Sequence, residues 1–231
     1  MAVIEGGTSA SLADVGVAAA SPMHVTTKPT PYGALGHYAI SARTGAVAAG
    51  SAANSPVLSA RWTDATRLCL IYEIWLDEFD NTTAFTAGRF QFDLIIARGW
   101  TVADSLGTTL TLTGDNNQLR TSMGASLFGE IRIATTAVLT AGTRTLDAQP
   151  LKIIGGRVGA IANKHNIPQS PVVTTQEVAA GPGILMWSRD PGNEHPIVLA
   201  QNEGIVIRSS VPATGVWSAT FSMKWCEVTA F

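Results

Sequence analysis

Between positions 216 and 228 the chain reads VWSATFSMKWCEV, with Trp217, Ala219, Phe221, Met223 and Trp225 on one parity and Ser218, Thr220, Ser222 and Lys224 on the other. A period of two means one buried face and one solvated face, which is an antiparallel strand in a sheet covered on a single side. At ~3.3 Å per residue the run would reach about 43 Å, well beyond a usual strand, so it must bend around the body or project from it.

Shorter runs of the same kind precede it. HYAISA (37–42) and AVAAG (46–50) are weak; VLSARW (57–62) is stronger and ends in a turn at Thr63, Asp64 and Ala65. In RLCLIYEIWL (67–76) Leu68, Leu70, Tyr72, Ile74 and Leu76 alternate with a second, partly apolar set, which predicts a central strand, and FQFDLIIARGW (90–100) behaves alike. TTLTLT (108–113) predicts a half-buried strand with Leu110 and Leu112 inward, followed by a GDNNQ turn. EIRIAT (130–135) follows, and LKIIGGRVGAI (151–161) reads as a strand interrupted at Gly155 and Gly156. After a proline-bearing connection over 162–183 come GILMW, PIVLA and GIVIRSS, and then the terminal run. No segment keeps a helical period over ten residues, although 121–131 and 158–166 could carry a turn or two. Many short strands with regular turn signals predict an all-β fold, an antiparallel two-sheet β-sandwich of the jelly-roll type, over 36–231.

Residues 1–35 differ. They are rich in Ala, Gly, Ser and Thr, hold Pro22, Pro29 and Pro31, and cannot bury enough apolar area to hold themselves in place. They are expected to form an extended N-terminal arm, which at full stretch could reach on the order of 115 Å. Its apolar positions Val3, Ile4, Leu12, Val15 and Val17 are candidate partner-binding anchors.

Composition narrows the function. Only 14% of the 231 residues are charged and the formal net charge is −2, so no basic surface invites nucleic acid or an anionic membrane. A surface so poor in charge suits either a coat of Ser and Thr or cover by partner chains. The start lacks a basic region before an apolar stretch, and no apolar run is long enough to span a bilayer. Cys69 and Cys226 sit in apolar runs and are expected as free buried thiols.

Candidate chemistry is sparse. The four histidines, His24, His37, His165 and His195, have no second ligand at metal spacing, and neither a Gly-x-Ser-x-Gly elbow nor a phosphate loop occurs. Asp77, Glu78 and Asp80 in WLDEFDNTT could serve a glycosidase, as could Glu194, or the first three could hold a structural calcium ion; the plainer expectation for those three is a solvated loop tip. The arginines Arg61, Arg67, Arg89 and Arg98 are dispersed. No enzyme activity and no cofactor are therefore expected. Of the six tryptophans, Trp217 and Trp225 have inward parity and are core, whereas Trp75 and Trp100 are the candidates for a subunit interface or a glycan platform.

The segments IEGGTSASLADV, WTDATRLCLI, FDLIIARGWT, LTLTGDNNQLRTSMG, IRIATTAVLTAGTRTLDAQP and HPIVLAQNEGIVIRSSVPATGVWSATFSMKWCEV resemble a family of tailed-bacteriophage virion proteins. The likeness spans nearly the whole chain, with variable segments at about 16–55 and 158–194. It implies a virion structural protein without catalytic residues, a jelly-roll head decoration (cement) protein assembled in the host cytoplasm. The implied partners are the major capsid protein, neighbouring virion proteins and further copies of the chain in a homotrimer. A neck or tail fibre component with a receptor- or glycan-binding role is the alternative.

Overall fold

The computed structural model describes residues 36–48, 50–83, 86–120, 122–158, 164–165, 183–188 and 195–230; the positions 1–35, with Val3, Ile4, Leu12, Val15 and Val17, lie outside them. Within this set the chain is all-β. The strands are β1 (His37–Arg43), β2 (Ser55–Trp62), β3 (Leu68–Thr83), β4 (Gly88–Arg98), β5 (Thr108–Thr109), β6 (Phe128–Ile133), β7 (Thr145–Leu146), β8 (Lys152–Val158), β9 (Lys164–His165), β10 (Ile184–Ser188), β11 (Ile197–Leu199), β12 (Glu203–Ser210) and β13 (Val216–Val228).

They form two antiparallel sheets packed face to face, a β-sandwich. The first has the order β1-β13-β3-β10, with β11 and β9 also on β3; the second runs β5-β6-β2-β12-β4-β7, with β8 also on β4. Early strands pair with late ones in a nested series: β1 with β13, β2 with β12, β3 with β10 and β11, and β4 with β8. Successive strands β1, β2 and β3 thus alternate between the sheets.

The inward parity of β13 holds as expected: Trp217, Ala219, Phe221, Met223 and Trp225 are all buried in the core. β3 behaves differently. It has 16 residues against the 13 of β13, and the difference of three is taken up at three register shifts, which leave Tyr72, Asp77 and Thr82 as extra residues. Each bulge turns the following side chains over. Cys69, Ile71, Ile74, Leu76 and Phe79 therefore face the core, spaced alternately by two and three. Leu68, Leu70 and Tyr72, which strict alternation groups with Ile74 and Leu76, pack in a separate cluster with Cys226 and Val228.

Three further expectations change. Asp77, Glu78 and Asp80 are not on a loop tip but on β3, where Glu78 and Asp80 pair with β13 and Asp77 is a bulge residue, because Leu76 and Phe79 anchor that stretch to the core. Gly155 and Gly156 do not interrupt β8. A Cβ on Gly155 would lie 2.4 Å from the Phe90 carbonyl oxygen, and one on Gly156 would lie 2.9 Å from the Phe90 ring, so the glycines let β8 pass close to β4. The strand expected over 108–113 shortens to Thr108–Thr109, its contact with β6 ending where Leu110 N donates to Ile131 O at 2.8 Å; Leu112 still points inward.

The interior is aromatic at both ends. Phe79 stacks on Phe90 with centroids 4.5 Å apart, and Phe92 meets Trp217 at 5.7 Å and Phe221 at 5.6 Å. Farther along, Trp225 stacks on Tyr38 at 5.4 Å and takes Phe128 edge-on at 5.2 Å. The outer edge of β1 is closed by residues 117–119: Asn117, in a left-handed conformation (φ 64°), accepts from Ala39 N at 3.0 Å, and Leu119 N donates to His37 O at 2.8 Å. A row of free β-edge groups is thereby covered on that side.

Candidate functional site

The side chains that could meet a partner lie on the outward faces of the two sheets. On the first sheet the bulges of β3 bring Glu73, Trp75, Asp77, Glu78 and Asp80 outward, opposite Lys224, Ser222, Thr220 and Ser218 of β13. Lys224 Nζ lies 2.7 Å from Glu73 Oε2, to which Trp75 Nε1 also donates at 3.4 Å. Arg43 of β1 bridges Asp80 at 2.5 Å and Glu78 at 3.6 Å, and Thr220 Oγ1 donates to Glu78 at 3.3 Å. Ser222 Oγ donates to Asp77 Oδ1 at 3.2 Å; partial burial raises the Asp77 carboxyl above its ordinary range, and this hydrogen bond offsets part of the rise. Half-exposed ion pairs of this kind add ~0–1 kcal/mol each, so they order the face more than they hold the fold.

Trp75 is half-buried on this face, where the sequence reading places a contact residue. Trp100 is not at a surface: only 1% of it is exposed. It packs on Ile95, Ala97 and Val206 on the outer side of the second sheet, and its Nε1 donates to Val102 O at 3.0 Å. The Arg144 guanidinium lies 4.3 Å over its ring and pairs with the buried Asp104, which also accepts from Gly142 N at 2.9 Å. Trp100 thus anchors a loop over its own sheet, because an aromatic just beyond the end of β4 is where the covering segment crosses.

The other half of that outer face carries charge, buried near Asp93 and exposed toward β8. Arg208 pairs with Asp93 at 3.0 Å, and Gln91 donates to the same carboxylate at 2.6 Å. Beside them the register of β4 and β8 sets Arg89 directly opposite Arg157, both exposed, and Ile153 opposite Asp93 with 54% of its surface exposed. The dispersal of the arginines along the sequence hid this cluster, since only strand register brings Arg89 and Arg157 together.

One charged group lies in the interior. Glu227 is fully buried near the end of β13; its Oε1 accepts from Ser126 Oγ at 2.8 Å and from Leu127 N at 2.9 Å. Burial raises its pKa, and the two hydrogen bonds, Trp225 and Arg67 draw it partly back. Tyr38, whose hydroxyl donates to Gly124 O at 2.8 Å, is pushed up to about 12, first by burial and then by Glu227. The signal was present in the sequence, because Glu227 shares the inward parity of Trp217 to Trp225.

Cys69 and Cys226 are free and buried. They sit on adjacent strands, but Cys69 faces Glu227 and Cys226 faces Leu70, so the thiols point to opposite sides of the sheet. Burial pushes the Cys69 thiol well up, and Glu227 adds to it. Among the described residues no three His, Cys, Asp or Glu side chains gather as a metal would require, and no helix is long and apolar enough to cross a membrane. Glu194 lies outside the described residues; His195 Nδ1 is 2.7 Å from Pro196 O. No family model, no curated protein and no solved structure matches this chain.

Proposed function

We propose that this chain is a structural subunit of a tailed-bacteriophage virion, a jelly-roll decoration protein that stabilises the head by binding across junctions of the major capsid protein. The observation that carries the reading is the nested pairing of β1 with β13, β2 with β12, β3 with β10 and β4 with β8. A long hairpin rolled into two sheets has that order, and the jelly roll is an architecture of viral shells as well as of lectins. The interior filled by Trp217, Phe221, Phe92 and Phe79 agrees, since a close-packed core suits a subunit that holds its shape between neighbours.

The mechanism is mass action. A protein that binds the assembled shell and not its separated subunits stabilises the shell in proportion to its free concentration. Val3, Ile4, Leu12, Val15 and Val17 of the arm would supply apolar anchors. The outward face of Thr220, Ser222 and Lys224, beside Ser218 buried under Arg43, would meet a neighbouring subunit. The subunits would associate as a homotrimer, symmetric closure being the usual outcome for copies of one chain.

The test uses heads that lack this protein. The full chain should bind them saturably and raise the temperature at which they open, whereas Val3→Asp/Ile4→Asp/Leu12→Asp should stay folded and bind at least tenfold more weakly. Absence of binding by the full chain overturns the reading. A second reading, a glycan-binding module at the neck or tail, is favoured by Trp75 beside Glu73 and Asp77 on an outward sheet face. It predicts binding on a glycan array that Trp75→Ala abolishes.

A further inference from the structure

Arg89 and Arg157 stand directly opposite each other on neighbouring strands. Like charges so placed repel. Both side chains are exposed, and neither forms an ion pair with a described carboxylate. A cross-strand guanidinium pair becomes favourable when carboxylates from another surface settle on it, through charge-assisted hydrogen bonds. The same outward parity of β8 carries exposed Ile153, and Leu151 just before the strand continues it; they are 54% and 42% exposed. Exposed Gly155 lies between Ile153 and Arg157 and leaves the strip low there. The corner therefore offers two cations beside an apolar ridge, the combination that makes strong protein contacts.

The matching surface is present on the same chain. On the outward side of the first sheet, Trp75 lies half-buried on β3 between Glu73 and Asp77. Asp77 meets the Ser222 hydroxyl at 3.2 Å, a neutral partner that leaves its charge to be met. Trp75 beside Asp77, with Glu73 already held by Lys224 at 2.7 Å, complements in charge an apolar ridge that ends in two guanidinium groups. The two strips belong to different sheets of the sandwich and face away from one another. Contact between them must then be heterologous, donor face to acceptor face, which closes into a ring when the rotation permits.

We propose that copies of this chain associate head to tail, the Arg89–Arg157–Ile153 corner of one copy docking on the Glu73–Trp75–Asp77 strip of the next. The proposal takes its partner, a second copy, from the oligomeric subunit described above and assigns the two faces that meet.

The experiment measures the mass of the full chain in solution by sedimentation and light scattering, in low and high salt. The wild-type chain should form a closed oligomer that high salt weakens. Arg89→Glu/Arg157→Glu and, separately, Asp77→Lys should each weaken association at least tenfold with an unchanged circular dichroism spectrum. The chain carrying all three substitutions should recover association, since the reversed faces again match. A monomeric wild-type chain, singly reversed variants that associate like wild type, or a triple variant that stays apart would each overturn the proposal. Head binding is scored separately. A chain that self-associates in this way without binding heads defeats the virion reading alone, and a chain that binds heads as a monomer defeats only the head-to-tail contact.

Discussion

At one end of the interior Phe79, Phe90, Phe92, Trp217 and Phe221 meet ring to ring within the hydrophobic core. At the other end the same two sheets close on Tyr38, Trp62, Phe128 and Trp225, and the carboxyl of Glu227 is folded in beside them. The first end depends on dispersion and excluded water, which respond little to pH. The second combines the same aromatic packing with a buried acid, whose cost is offset only while Leu127 N–H and Ser126 O–H point at it. The contrast shows where a fold of one material can still be sensitive to conditions.

The largest effect should come from the dry end. Phe92→Ala removes a ring packed on Phe79, Phe90, Trp217 and Phe221, and should cost about 3–5 kcal/mol in denaturant titration. The loss should be the same at acid and neutral pH; a loss that varies with pH would erase the distinction between the ends. Glu227→Ala should cost about 1–3 kcal/mol, because Leu127 N–H and Ser126 O–H lose their buried acceptor.

Glu227→Gln sharpens the comparison by changing charge with little change of shape. The folded-state pKa of Glu227 is raised, so the folded chain holds that proton more tightly than the unfolded chain does. Its contribution is then fully present below the ordinary glutamate range and is lost as pH rises through the raised value. The variant should therefore lose less stability than wild type between acid and neutral pH, as read from denaturant midpoints. Parallel pH profiles for the two chains would refute it. Smaller still, Tyr38→Phe deletes the hydrogen bond to Gly124 O and should cost about 0.5–1.5 kcal/mol. Last, the Cys69 thiol, buried and raised, should react with an alkylating reagent only as fast as the chain unfolds.

Much of this architecture was legible residue by residue. β13 follows from its alternation and β12, β4 and β2 from their short apolar runs, and β13 also carries Glu227 inward on the parity of Trp217 to Trp225. What could not be read was anything that depends on a neighbour. The bulges at Tyr72 and Asp77 appear only when β3 is laid against a shorter strand, and the same pairing, anchored by Leu76 and Phe79, holds on a sheet three acids expected in a loop. Gly155 and Gly156 look like a break until Phe90 is placed against them. Trp100 looks like a surface anchor until Arg144 and Asp104 are placed over it. The Arg89–Arg157 corner exists only in the register of β4 and β8.

The nested pairing also sets the order in which the molecule can be built. His37 pairs with Cys226, so that contact spans 226 − 37 = 189 residues of chain, whereas Gly88 pairs with Val158 across 158 − 88 = 70. Closing the longer loop costs more entropy and comes after the inner pairs have shortened the path. As the chain is synthesised, β3 waits for β13, the last strand of the described set, before its longest edge is covered. Until then 16 residues of β-strand carry an open row of backbone donors and acceptors. Assembly of this fold is thus a race between completing the chain and losing that edge to another molecule, and its yield should depend on protein concentration during folding more than on final stability.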